Sequence, residues 1–160
     1  MRHPEEDLLR RIADAFDGVE RGNGTTWMEG EGMDNHASPE ELAAARALDA
    51  EGRWQDVPPD RFEMYSSPPW FLNAEGFRYY LPAVMTWSLT EGARSSSATE
   101  DQFLSLLRDA ERQGWLVEGL TSDQLHVTAD WVWHVTESWY QRDEGKTGEL
   151  RRFWARYRAK

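Results

Sequence analysis

The chain of 160 residues carries 18 Lys and Arg against 29 Asp and Glu, for a formal net charge of −11, and it contains no cysteine. The lack of cysteine excludes disulfides, thiolate metal sites and thiol nucleophiles. The sequence shows neither a secretory signal pattern nor an apolar run near the ~20 residues that span a bilayer. We therefore expect a cytoplasmic protein with no membrane association.

The composition favours helices around an aromatic core. β-Branched aliphatic residues are few, with 7 Val and 1 Ile, whereas 9 Trp, 5 Tyr and 6 Phe supply large apolar side chains. Each aromatic side chain buries about 150–250 Å², and the abundant Ala, Leu, Glu and Arg favour helix. We predict an all-α fold, in which residues 1–160 form a compact single domain of about six helices with a Pro-rich connection in the middle.

The first third of the chain has two clear helix starts. Pro4 opens an amphipathic segment that predicts a helix at about 4–17, because proline is favoured at the first helical position. Ser38 and Glu41 form a capping box ahead of an Ala-rich run, which predicts a helix over 42–50. Between these helices, the acidic stretch 29–34 has no period and fits either a loop or a short helix.

The proline-rich middle of the chain predicts an extended or turn-rich connection that lies over the surface. Trp54, Phe62 and Trp70 are expected to pin this connection to the core. Asn73 then caps a helix, which Pro82 is expected to kink or divide. A loop at 92–98 and helices at about 100–113, 122–142 and 147–158 complete the prediction. A capping box of Thr121 and Gln124 opens the helix at 122–142.

One helix face groups residue types that bind metal ions: His126, Asp130, His134 and Glu137. Imidazoles and carboxylates at i and i+4 spacing stack on one face and are ligand types for Zn²⁺. The same positions also form the polar face of an amphipathic helix, and a solvated face is the interpretation we favour. We therefore assign no metal and no other cofactor.

A second polar cluster consists of Glu29, Glu31, Asp34 and His36. Its glycine-rich surroundings would allow oxygen ligands to converge on a hard cation, but a solvated acidic loop is the favoured interpretation. The EF-hand, G-x-S-x-G, P-loop and dinucleotide-binding patterns are all absent. No catalytic residue is assigned, and the balance is against an enzyme.

The segment 71–85 places Arg78, Tyr79 and Tyr80 among large apolar residues. Such an aromatic run fits a core better than the wall of a pocket. If Arg78 is partly buried it needs a carboxylate, and Glu75 is the expected helical partner.

Three segments carry a resemblance to a known family: Ile12-Ala-Asp-Ala-Phe-Asp-Gly-Val19, Arg53-Trp-Gln-Asp-Val-Pro58 and Glu75-Gly-Phe-Arg-Tyr-Tyr-Leu-Pro82. Together they resemble a family of small bacterial proteins of unknown function. The resemblance implies a bacterial origin and a compact domain. It implies no activity and no catalytic residues.

The charge is distributed unevenly along the chain. Residues 146–160 have a net charge of +5, whereas residues 1–145 have a net charge of −16. An acidic body repels nucleic acid and steers association toward basic partners. The basic helix at 143–160 either packs against this body or forms an appendage that binds a partner.

These observations predict a non-enzymatic, acidic interaction module that binds a basic protein, such as an immunity or antitoxin-like inhibitor. The expected partner-binding residues are Glu29, Glu31, Asp34, Trp70, Arg78 and Tyr79. The alternatives are a metal-assisted hydrolase that uses the His126 helix face, and a small-ligand binder walled by Trp70, Tyr79 and Tyr80. The oligomeric state is left open.

Overall fold

The structure is a computed structural model that describes residues 3–50, 52–137 and 144–158. These residues form nine α-helices and no strand, so the predicted all-α class is confirmed. No helix within these ranges is long and apolar enough to cross a bilayer. The helices are α1 (Pro4–Ala15), α2 (Trp27–Asp34), α3 (Pro39–Leu48), α4 (Asp60–Met64), α5 (Ala74–Leu89), α6 (Thr99–Arg108), α7 (Trp115–Glu118), α8 (Ser122–Thr136) and α9 (Glu144–Trp154).

The predicted number of about six helices is wrong, because the described residues contain nine. The additional helices are α2, α4 and α7, with 8, 5 and 4 residues. Helices of one or two turns are too short to show a 3.6-residue period in sequence. Of the two forms expected for the proline-rich connection, the structure shows the turn-rich one, since the connection contains α4 and two 3₁₀ turns, Trp54–Asp56 and Pro68–Phe71.

The chain groups into two compact units. We call Gly18–Phe103 the acidic unit, and Met1–Asp17 with Leu104–Lys160 the terminal unit. The single-domain assignment stays a prediction.

The acidic unit has an aromatic core. Trp27 is completely buried, with its ring centroid 4.9 Å from that of Phe62 and 5.3 Å from that of Tyr80. Trp54 and Phe62 are buried, as predicted, but Trp70 is 44% exposed and does not pin the connection. Helix α5 continues through Pro82 without division, because its buried side chains hold it on both sides of the proline.

Two glycines allow the loop before α2 to touch the start of α5. A Cβ on Gly76 would lie 2.5 Å from the carbonyl oxygen of Thr25, and a Cβ on Gly24 would lie 2.6 Å from the nitrogen of Gly76. Asn73 caps α5 as predicted, since its Oδ1 accepts from the nitrogen of Gly76 at 2.9 Å and from that of Thr25 at 3.0 Å. Only glycine permits this approach of two backbones.

In the terminal unit, α8 packs against α1 and α9. The predicted capping box of α8 is present, since Thr121 Oγ1 accepts from the nitrogen of Gln124 at 3.2 Å. The helix ends at Thr136 rather than near 142, and residues 138–143, which include Trp139 and Gln141, lie outside the described part of the chain. Leu150, Phe153 and Trp154 of α9 are buried.

Candidate functional site

The acidic unit holds most of the net charge. It contains 15 acidic and 6 basic residues, a net charge of −9, whereas the terminal unit contains 14 acidic and 12 basic residues, a net charge of −2. The three exposed large hydrophobic side chains of the described residues, Leu48, Met64 and Trp70, also belong to the acidic unit. A surface that combines exposed apolar groups with one sign of charge is typical of a binding site.

Helix α2 supplies three of the predicted partner-binding carboxylates, and the structure gives each a different environment. Glu29 completes the capping box of Thr26 and is paired with Arg46 at 2.6 Å, so it serves the fold. Glu31 accepts from Ser67 Oγ at 2.7 Å, which joins α2 to the turn that carries Trp70. Asp34, one turn further along, is exposed.

Trp70 is held in a fixed position at the surface. It lies in the turn Pro68–Phe71, whose two prolines are buried, and its Nε1 donates to Gln102 Oε1 at 2.6 Å. Gly30 of α2 allows this turn to approach, since a Cβ at Gly30 would lie 2.9 Å from that of Pro68. Because proline restricts the backbone and the hydrogen bond fixes the ring, the exposed side chain of Trp70 has little conformational entropy to lose on binding.

The start of α6 places two more carboxylates beside Gln102. Glu100 is half-buried and Asp101 is exposed. Burial, together with the smaller effect of the neighbouring charge of Asp101, raises the pKa of Glu100 to about 7. We call Trp70, Glu31, Asp34, Glu100 and Asp101 the Trp70 surface. Glu100 and Asp101 were not among the partner-binding residues expected from the sequence, although an acidic first turn next to a serine-rich loop is visible there.

The polar face of α8 meets α1 and the residues after α9 in a separate groove of the terminal unit. Asp130 Oδ2 accepts from Arg11 Nη2 at 2.7 Å, and its Oδ1 accepts from Arg158 Nε at 3.2 Å. His134 lies 3.6 Å from Glu5. The groove has a volume of about 440 Å³. It is lined by Pro4, Asp7, Leu8, Arg11, Asp130, Trp133, His134, Glu137, Arg151 and Arg158.

Residues 4–158 match DUF6714, a family of unknown function. The chain belongs to this family. Neither the curated proteins nor the solved structures gave a match. Membership in DUF6714 confirms the predicted family of unknown function, while the bacterial origin stays a prediction.

Two predicted partner-binding residues of this DUF6714 chain lie elsewhere than expected. Tyr79 is completely buried and packs edge-on against Tyr80 at 4.9 Å, so it belongs to the core and neither tyrosine lines an open pocket wall. Arg78 is half-buried, and its Nε is buried without a hydrogen-bond partner. No ion pair joins Arg78 to Glu75 in the described part of the chain, where Glu75 is exposed.

The two candidate metal sites of the DUF6714 chain do not assemble into ligand sets. No group of three or more His, Asp or Glu side chains in the described ranges is placed to hold a metal ion. One groove is lined by Asp130, His134 and Glu137, but the carboxylate of Asp130 is already bonded to two arginines. His126 lines a different, smaller depression of about 260 Å³. In the acidic cluster, His36 follows α2 in a left-handed conformation with φ of 56° and is exposed.

Proposed function

We propose that this protein is a non-enzymatic binding module whose Trp70 surface docks on a basic protein, in the manner of an immunity or antitoxin-like inhibitor in the cytoplasm. The observation that carries the proposal is the arrangement of a fixed, exposed tryptophan between two acidic helix segments. Nucleic acid and membrane surfaces are disfavoured as partners, since both are anionic and the acidic unit has a net charge of −9.

Trp70 has the properties of an energetic anchor. Tryptophan is enriched among the interface residues that dominate binding energy, and rigid aromatic side chains lose little conformational entropy on association. Its Nε1 is already bonded to Gln102 at 2.6 Å, so the partner need only cover the ring. The prolines on its N-terminal side keep the backbone in place.

The charge complementarity comes from carboxylates of α2 and of the start of α6, the two helices to which the turn of Trp70 is bonded. Asp34 and Asp101 are exposed, and neither is tied to an arginine in the described part of the chain. The pKa of Glu100, raised to about 7, shows that a negative charge is unfavourable there without a cation nearby. A lysine or arginine of a partner would stabilise the ionised form of Glu100, so binding should strengthen as pH rises from about 6 to about 8.

The experiment is affinity capture from a lysate of the source organism with immobilised protein, at about 50 mM and about 300 mM salt so that screening is varied. The wild type is compared with Trp70→Ala and with Asp34→Asn/Asp101→Asn. The matched control is Glu111→Gln/Asp123→Asn, which removes two charges from exposed positions of the terminal unit. Retained proteins are identified by mass spectrometry, and the affinity of any purified partner is then measured.

We expect the wild type to retain a basic protein at low salt and to lose most of it at high salt. Trp70→Ala should weaken binding by about 30-fold, in line with the roughly 2 kcal/mol that a hot-spot tryptophan contributes. The charge variant should reduce retention, while the terminal-unit control should not. Equal retention by wild type and Trp70→Ala, or no basic protein retained by the wild type, would contradict the proposal.

A further inference from the structure

The groove of the terminal unit already contains a seated guanidinium group. Arg158 Nε donates to Asp130 Oδ1 at 3.2 Å, and its guanidinium carbon lies 4.7 Å from the centroid of the Trp133 ring. A carboxylate at one edge and an indole face beneath are the two groups that recognise arginine best in proteins. The chain's own side chain thus shows what the groove binds.

Of the two arginines on Asp130, Arg158 is the one that can be displaced. Arg11 is held in helix α1, has 29% of its side chain exposed, and makes the shorter contact of 2.7 Å. Arg158 makes the longer contact and has 43% of its side chain exposed. A rotation of the Arg158 side chain would expose Asp130 Oδ1 and the part of the Trp133 ring that Arg158 covers. The guanidinium of Arg151, 5.2 Å from the centroid of the same ring, would stay in place.

The charges around the groove favour a cation in that vacated place. Asp7, Asp130 and Glu137 balance Arg11, Arg151 and Arg158 while Arg158 is seated. With the guanidinium of Arg158 moved away, the lining residues that the structure describes are three carboxylates against two arginines. A volume of about 440 Å³ accommodates an arginine side chain with part of its backbone.

We propose that the groove between α1 and α8 is a binding site for an arginine side chain of the basic partner, which replaces Arg158 on Asp130 and Trp133. Arg158 acts as an internal competitor that lowers the apparent affinity for the incoming arginine. The inference rests on the proposed function only for the source of the arginine. The groove itself is testable with a small probe, so a failure at the Trp70 surface and a failure here are distinguishable.

The probe is N-acetyl-L-argininamide, titrated into the full chain and followed by calorimetry and by the indole N–H signal of Trp133 in NMR spectra. The wild type is compared with Arg158→Ala. The matched control, Arg152→Ala, removes an exposed arginine of α9 that does not line the groove. Thermal unfolding of each variant verifies that it is folded.

We expect Arg158→Ala to bind the probe at least about tenfold more tightly than the wild type or Arg152→Ala, since one charge-assisted competitor is removed. Trp133→Leu or Asp130→Asn, each combined with Arg158→Ala, should reverse the gain. N-acetyl-L-lysinamide should bind more weakly, because it lacks the planar fork of guanidinium.

Two outcomes would overturn the proposal. The first is that Arg158→Ala binds argininamide no more tightly than the wild type does. The second is that free L-arginine binds to Arg158→Ala more tightly than the blocked amide, since a preference for the free amino acid would mean that the groove binds a metabolite rather than a protein side chain.

Discussion

Asp49 offers the sharpest test of how the acidic unit is held together. Its side chain is completely buried, and its carboxylate accepts from the nitrogen of Met28 at 2.8 Å and from Arg61 Nε at 2.9 Å. Its backbone oxygen accepts from Arg21 Nη1 at 2.9 Å. One residue therefore joins the end of α3 to the start of α2 and to α4.

Replacement by alanine would leave Arg61, only 22% exposed, without its carboxylate, and would leave the Met28 N–H without an acceptor. Breaking a buried ion pair by removing one partner costs about 3–5 kcal/mol. For a chain of this size, each kcal/mol lowers Tm by about 2–4 °C. We expect Asp49→Ala to lower Tm by roughly 6–20 °C.

The assay is thermal and urea unfolding followed by circular dichroism, with Asp56→Ala as the control at an exposed position of the same unit. The double variant Asp49→Ala/Arg61→Met should lose less stability than the two single changes added together, because the unpaired guanidinium is then gone. A loss below about 1 kcal/mol for Asp49→Ala, the value of a surface ion pair, would refute this account of the network.

Two further predictions concern packing and pH. Gly76→Ala should destabilise the fold by about 1–3 kcal/mol, because the new Cβ would lie 2.5 Å from the carbonyl oxygen of Thr25. Gly119→Ala should not destabilise it, because no atom lies within 4 Å of the new Cβ. Urea unfolding of both variants tests this difference. The pKa of Glu100 rises from 4.5 to about 7 on folding, so the folded state favours the protonated carboxyl. The contribution of Glu100 to the free energy of unfolding is therefore complete below pH 4.5 and is lost as pH rises to about 7. This loss is at most about 3 kcal/mol. Glu100→Gln should reduce the slope of the unfolding free energy over that range, and the part that remains includes Asp101, whose pKa burial also raises. An unchanged slope would contradict the assignment.

The helices that begin with a local capping pattern could be predicted from the sequence. The boxes at Ser38 and Thr121 are both present, as is the cap at Asn73, because capping depends on residues three apart. The short helices α4 and α7 were not predicted, because a segment of four or five residues displays no periodicity.

The candidate site was only partly predictable. Glu31, Asp34 and Trp70 were expected at an interface, and the structure brings the turn of Trp70 against α2. The indole of Trp70 is bonded to Gln102, which is 32 residues away, and no local pattern encodes that contact. Likewise, Arg11 and Asp130 are separated by 119 positions, so the polar face of α8 could not be distinguished in sequence from a solvated one.

The uses of arginine explain why the acidic unit has an uncompensated surface. Arg46 and Arg61 pair with carboxylates that serve the fold, and Arg21 binds a backbone carbonyl. Arg46 and Arg61 neutralise inner carboxylates, whereas exposed ones such as Asp34 form no ion pair with the residues that the structure describes. Different residues of the acidic unit therefore carry its stability and its surface charge. We expect Asp34→Asn to leave the fold intact while it weakens association, whereas a change at Asp49 acts on stability.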